Sequence, residues 1–121
     1  MKGILIAAHG SREKTTERTL EVLAGKVRKL SGVGLLEIAF MQFSARTIPA
    51  GLDALMERGC TEIVLIPYFL FDGVHIREDI PELIREYTAA HPGVSIRLGH
   101  TLGADDRLAQ ILAEQVAEVS R

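Results

Sequence analysis

The sequence predicts an α/β domain: a four-stranded parallel sheet in the order 2-1-3-4 with helices on both faces. Three observations point there. Four short apolar runs each precede a stretch of helical periodicity, and strands alternating with helices imply right-handed crossovers and a parallel sheet. The first run, Lys2 to Ala8, is apolar continuously rather than alternately, as expected of a strand covered on both faces. The length of 121 residues, with 47% hydrophobic, 25% charged and 5% aromatic, fits one globular core over residues 1–121.

The elements follow in order. After the first strand a helix is expected from about Arg12 to Leu30, with Leu20, Leu23, Ala24, Val27 and Leu30 on one stripe and Gly32 and Gly34 beyond its end. The second strand is about Leu35 to Phe40. Thr47 and Pro49 then open a short helix whose Ile48, Leu52, Leu55 and Met56 form a stripe before Gly59. The third strand runs from Glu62 to about Leu70, with Pro67 marking where ladder bonding weakens. The third helix begins near Pro81, puts Ile80, Leu83, Ile84 and Tyr87 on one face, and stops at His91-Pro92-Gly93. His91 reads as a C-terminal cap favourable to the helix dipole. The fourth strand is Val94 to Leu98. The last helix, Ala104 to about Val119, is expected to bury Leu108, Ile111, Leu112, Val116 and Val119.

Charge narrows the functional classes. A formal net charge of -2, with acids and bases alternating along the helices, leaves no basic footprint. Neither nucleic acid nor a membrane surface is therefore an expected partner. The apolar run Ile4 to Ala8 is too short for a signal segment or a span, which reads as a cytoplasmic protein. Cys60 is the single cysteine, so neither a disulfide framework nor a Cys-rich metal motif is available. It reads as a small buried hydrophobe at a helix-to-strand junction.

In the order 2-1-3-4 the winding reverses between the first and third strands, and ligands bind at the carboxyl ends of strands at such a point. His9 follows the first strand, and His75 follows the third across the Asp72-Gly73 turn. Gln42, after the second strand, lines the same rim. Two neutral imidazoles suit a borderline divalent cation such as Co, Ni, Fe or Zn. They are too few for a structural zinc site, which closes with four ligands. The pattern therefore points to an open, transient site, or to one completed by substrate or a second subunit; the plain alternative is a pair of hydrogen-bonded structural histidines. Gly10-Ser11-Arg12, at the expected helix start, offers N–H groups, a hydroxyl and a guanidinium to a carboxylate or phosphate, although a simple cap at Ser11 uses the same geometry. Glu78 and Asp79 serve either as acid/base groups beside His75 or as the acids that open the third helix. His100 reads as a loop residue at the far side of the sheet. The Gly-x-Ser-x-Gly elbow, the phosphate-loop Gly-Lys-Ser/Thr and Gly-x-Gly-x-x-Gly are all absent. Ala8 stands where a phosphohistidine phosphatase would have Arg.

The segments Ile6-Ala-Ala-His-Gly-Ser-Arg12, Ile38-Ala-Phe-Met-Gln42 and Ile66-Pro-Tyr-Phe-Leu-Phe-Asp-Gly-Val-His-Ile-Arg-Glu-Asp-Ile-Pro81 resemble those of the short CbiX-type sirohydrochlorin chelatases and their ferrochelatase relatives. The likeness runs essentially the full length of the chain. It implies insertion of a divalent metal, Co²⁺ or else Ni²⁺ or Fe²⁺, into sirohydrochlorin or a related tetrapyrrole. The metal is a substrate, with no organic cofactor, and His9 and His75 are implied as its ligands. It further implies a homodimer whose two clefts meet. A substrate rich in carboxylates wants cations and free N–H groups, which makes Ser11, Arg12, Gln42, Arg46, Gly73 and Arg77 the candidate substrate contacts. One departure is plain: the family commonly has Glu and then Glu-Pro-Ser where this chain has Gln42 and then Ala45-Arg46-Thr47.

Overall fold

The computed structural model describes residues 1–120. Its elements are β1 (Lys2–Ala8), α1 (Lys14–Ser31), β2 (Leu36–Phe40), α2 (Ile48–Glu57), β3 (Glu62–Pro67), a π-helical turn (His75–Asp79), α3 (Ile80–Ala90), β4 (Ser95–Leu98) and α4 (Asp106–Val119). The strands form one parallel sheet in the order β2-β1-β3-β4, the expected order.

The sheet carries a core on each face. On one side Leu5, Ala7 and Leu65 pack with Leu52 and Leu55 of α2 and Ile80 and Tyr87 of α3. On the other, Ile6, Ala8, Ile38 and Phe40 pack with Leu20 and Ala24 of α1. Alternate residues of β1 therefore enter opposite cores, which is why the strand reads as continuously apolar. The α2 backbone lies against β1 so closely that a Cβ at Gly51 would sit 2.6 Å from Leu5 Cδ1. Cys60 is buried at the junction of α2 and β3, its sulfur 2.8 Å from where a Cβ on Gly3 would project. His91 ends α3 as expected, its N–H bonded to the carbonyls of Tyr87 and Thr88 and its ring stacked on Tyr87 at 4.0 Å.

The expectations need correction in four places. First, α1 starts at Lys14, not Arg12, because Gly10 adopts a left-handed φ of +89° and the next residues form a bend. Second, Leu30, expected on the buried stripe, is 90% exposed, since the last turn of α1 runs past the edge of the sheet. Third, β3 ends at Pro67, not near Leu70; proline has no N–H to give the ladder, and a π-helical turn precedes α3. Fourth, α4 buries none of its residues: Ile111, Leu112, Val116 and Val119 are 51–84% exposed, and Leu108 is only partly covered. Its apolar stripe is real but meets no element of its own chain beyond its first turns. There, Leu108 and Ile111 border an apolar cavity of about 390 Å³ with Leu23 and Val27 of α1 and Ile4, Ile6 and Ile66 of the sheet. No helix among the described residues is long and apolar enough to cross a membrane.

Candidate functional site

The rim is built by hydrogen bonds that continue the sheet past its strand ends. The Tyr68 N–H donates to Ala7 O (2.7 Å), Met41 N–H to Ala8 O (2.9 Å) and Gln42 N–H to His9 O (3.1 Å). The segments after β1, β2 and β3 are thereby held side by side. Gly10 makes this possible: a Cβ there would meet Gln42 O at 2.2 Å, so the first and second loops touch backbone to backbone.

His9 and His75 come together at this rim, their ring centroids 5.2 Å apart and their planes at 72°. Each ring is held differently. His9 is exposed but lies flat on the buried Phe69, with centroids 4.2 Å apart and planes at 18°. His75 sits at the first position of the π-helical turn and its Nδ1 is 2.8 Å from Asp79 Oδ2. The turn itself hangs on the Gly73 carbonyl, which accepts from the N–H groups of Ile76 (3.1 Å) and Arg77 (3.0 Å). Beyond β4, the buried Thr101 hydroxyl donates to Asp72 Oδ1 at 2.7 Å, tying the far loop to the turn that leads to His75.

The other expected contacts are placed as follows. Gln42 is exposed beside His9 through its backbone bond. Arg12 is exposed with its guanidinium 4.9 Å above the Phe43 ring, a cation–π arrangement; both border a recess of about 380 Å³ with Ser11, Lys14 and Arg18. The Ser11 hydroxyl is 2.5 Å from Thr16 Oγ1 and accepts from Glu13 N–H at 3.1 Å, so it braces the approach to α1 and is not its N-cap residue. Arg46 does not present a free guanidinium: it is held by Glu21 at 2.8 Å, with Glu37 at 3.8 Å. Arg77 is exposed on the π-helical turn. Gly73 contributes a carbonyl already used by the turn.

Sequence reasoning missed Phe69, Phe43 and the role of Asp79. Phe69 reads as strand core in an apolar run. Phe43 carries a left-handed φ of +58° that no local signal announces. The i,i+4 spacing of His75 and Asp79 was the one legible clue. Exposed apolar side chains lie on the segments that follow β2 and β3: Phe43 is 53% exposed, and Phe71 and Val74, just before His75, are 79% and 53% exposed.

Fold and site together define an open parallel α/β domain that presents two imidazoles, one of them stacked on a buried phenylalanine, at its topological switch point. The family model described as CbiX matches residues 3–119, and the chain belongs to the CbiX family. It is 32% identical to the sirohydrochlorin cobaltochelatase of Sulfurisphaera tokodaii over 121 residues, covering all of this chain and 96% of that protein. It is 31% identical to the sirohydrochlorin ferrochelatase of Priestia megaterium over 120 residues, where it covers 99% of this chain but only 45% of the relative. The chain thus matches the length of one of these relatives and spans about half of the other. Among solved structures, a CbiX protein from Marinobacter aquaeolei, described as putative and of cobalamin biosynthesis, superposes with a TM-score of 0.80 at 29% identity, over 98% of this chain and 96% of that one. The cobalt complex of the sirohydrochlorin chelatase SirB from Bacillus subtilis subspecies spizizenii gives 0.90 at 25% identity, over 98% of this chain and 50% of that one.

Proposed function

We propose that this chain is a chelatase that inserts a divalent metal, Co²⁺ or Fe²⁺ and by the same ligand chemistry Ni²⁺, into sirohydrochlorin or a related tetrapyrrole. The observation that carries this is the imidazole pair. Ring centroids 5.2 Å apart at one rim place the two imidazoles close enough to share one divalent ion. Two ligands from the protein leave the remaining positions to water and to the incoming pyrrole nitrogens, which suits an ion that must be handed on. The names of the relatives and the cobalt complex of SirB support the same reading.

The chain's residues supply separate parts of the reaction. His9 and His75 take the place of water on the ion, and, when metal-free, the bare ring nitrogens can accept the pyrrole protons. The exposed Phe43, Phe71 and Val74 offer apolar surface to a macrocycle face, while Arg12 and Arg77 offer charge to its carboxylates. No organic cofactor is required by this chemistry.

We further propose a cytoplasmic homodimer. The uncovered stripe of α4 supports it, since a helix with apolar residues at 51–84% exposure wants a partner surface, and the open rim covers one side of a macrocycle only. The decisive assay is anaerobic: sirohydrochlorin absorbance is followed with Co²⁺, Ni²⁺ and Fe²⁺ in parallel, and multiple turnovers with at least one metal are expected. A second reading, a metal- or tetrapyrrole-binding module that does not turn over, is favoured by two observations. Among the described residues no group of three His, Cys, Asp or Glu is placed to hold an ion, and Gln42 stands where the family commonly has Glu. Stoichiometric binding without turnover would establish that alternative.

A further inference from the structure

The two imidazoles differ in one respect that bears on how an ion is held. His9 makes no side-chain hydrogen bond among those of the described residues and is fixed by its stack on Phe69. His75 is fixed by a polar contact, Nδ1 to Asp79 Oδ2 at 2.8 Å, one turn further along the same segment. That segment is a π-helical turn closed by the Ile80 N–H on His75 O, a wider turn of a kind often found at functional sites. A carboxylate opposite a neutral imidazole can only accept, so the proton must reside on Nδ1 and the lone pair on Nε2. Asp79 has no other polar duty in view. It is the residue preceding α3, yet its side chain caps no backbone N–H, and among the described residues no Lys or Arg pairs with it.

We infer that Asp79 is a positioning residue: it selects the His75 tautomer with a bare Nε2 and orients that nitrogen for the metal. The inference deepens the chelatase reading and rests on His75 being a ligand. Metal-bound histidines regularly donate their second ring N–H to a carboxylate, and losing that partner typically lowers metal affinity about 10–100-fold. Asparagine keeps an acceptor oxygen at the same reach, so Asp79→Asn should retain the orientation that Asp79→Ala loses.

The test uses the whole protein and Co²⁺ alone, titrated anaerobically at one near-neutral pH. Asp79→Ala is expected to bind Co²⁺ about tenfold or more weakly, with Asp79→Asn recovering most of the loss. In metal-free protein, two-dimensional ¹⁵N–¹H spectra of the His75 ring should show the Nδ1-protonated tautomer in the wild type and in Asp79→Asn, and a mixture in Asp79→Ala. Asp79 is 48% exposed at its side chain, and circular dichroism will show whether the Ala variant keeps the fold. His75→Ala is measured beside them. If it binds Co²⁺ like the wild type, the ligand reading fails and the inference with it. If His75→Ala is weakened while Asp79→Ala binds normally and keeps its tautomer, the ligand reading stands and Asp79 has no positioning role.

Discussion

Gly10→Ala probes how the site is assembled, because Gly10 is where the loops after β1 and β2 touch. Two effects add. The left-handed φ of +89° strains any Cβ-bearing residue by about 1–2 kcal/mol. The new Cβ would also lie 2.2 Å from Gln42 O, so the loops must part and the bonds Gln42 N–H to His9 O and Met41 N–H to Ala8 O weaken, at about 1 kcal/mol each. The sum is about 3–4 kcal/mol. Gly32 is the control: it too is left-handed, at +74°, but nothing lies within 4 Å of its missing Cβ, so Gly32→Ala should cost only about 1 kcal/mol. In urea, with a slope of about 1.5 kcal/mol/M, the Gly10 variant's midpoint should fall by about 2 M and the Gly32 variant's by less than about 1 M. Cobalt binding at low denaturant should weaken in the first and not in the second, because only the first displaces His9. Equal midpoints for the two variants would refute the close approach as the cause.

Other outcomes follow from the same geometry. His9→Ala and His75→Ala should each reduce metal insertion at least roughly tenfold while leaving the thermal transition nearly unchanged, since neither ring fills a core; near-normal turnover at limiting metal would remove that residue from the ligand set. Gln42→Glu adds a negative charge beside His9 and should tighten Co²⁺ or Ni²⁺ binding above neutral pH, and an unchanged affinity between about pH 6 and 9 would place the side chain outside the metal shell. Sedimentation at micromolar concentration should show a dimer, and Leu112→Lys with Val116→Lys on the exposed stripe of α4 should yield a folded monomer; a dimer that survives both changes uses another surface. Tyr87 gives a pH signature: burial, and then the hydrogen bond its hydroxyl donates to Asp53 at 2.6 Å, raise its pKa. The unfolded chain ionises near 10 while the folded one resists, so stability should be flat below that pH and fall as pH rises above it. Tyr87→Phe should lose that part of the slope and about 1 kcal/mol at neutral pH; an unaltered alkaline slope would contradict the assignment.

The strand order and the meeting of His9 with His75 were legible in the sequence because each rests on a local or generic rule. Continuous apolar runs mark β1 and β3 as strands covered on both faces, the alternation of strands with helices marks the sheet as parallel, and a residue just past a strand end at the switch point has one rim to occupy. The lone Cys60 and the cap at His91 were legible for the same reason. What the sequence could not supply is how segments distant along the chain settle against one another. That Arg46 is taken by Glu21 and Glu37, that Phe69 turns its face to His9, and that Phe43 twists into a left-handed conformation all depend on loops held by contacts with other loops. The α4 stripe shows the limit most plainly. A period of 3.6 states that Ile111, Leu112 and Val116 share a face suited to burial, but only tertiary structure decides how much of it is covered: Ile111 borders the cavity over α1 and the sheet, while Leu112 and Val116 stay 62% and 65% exposed.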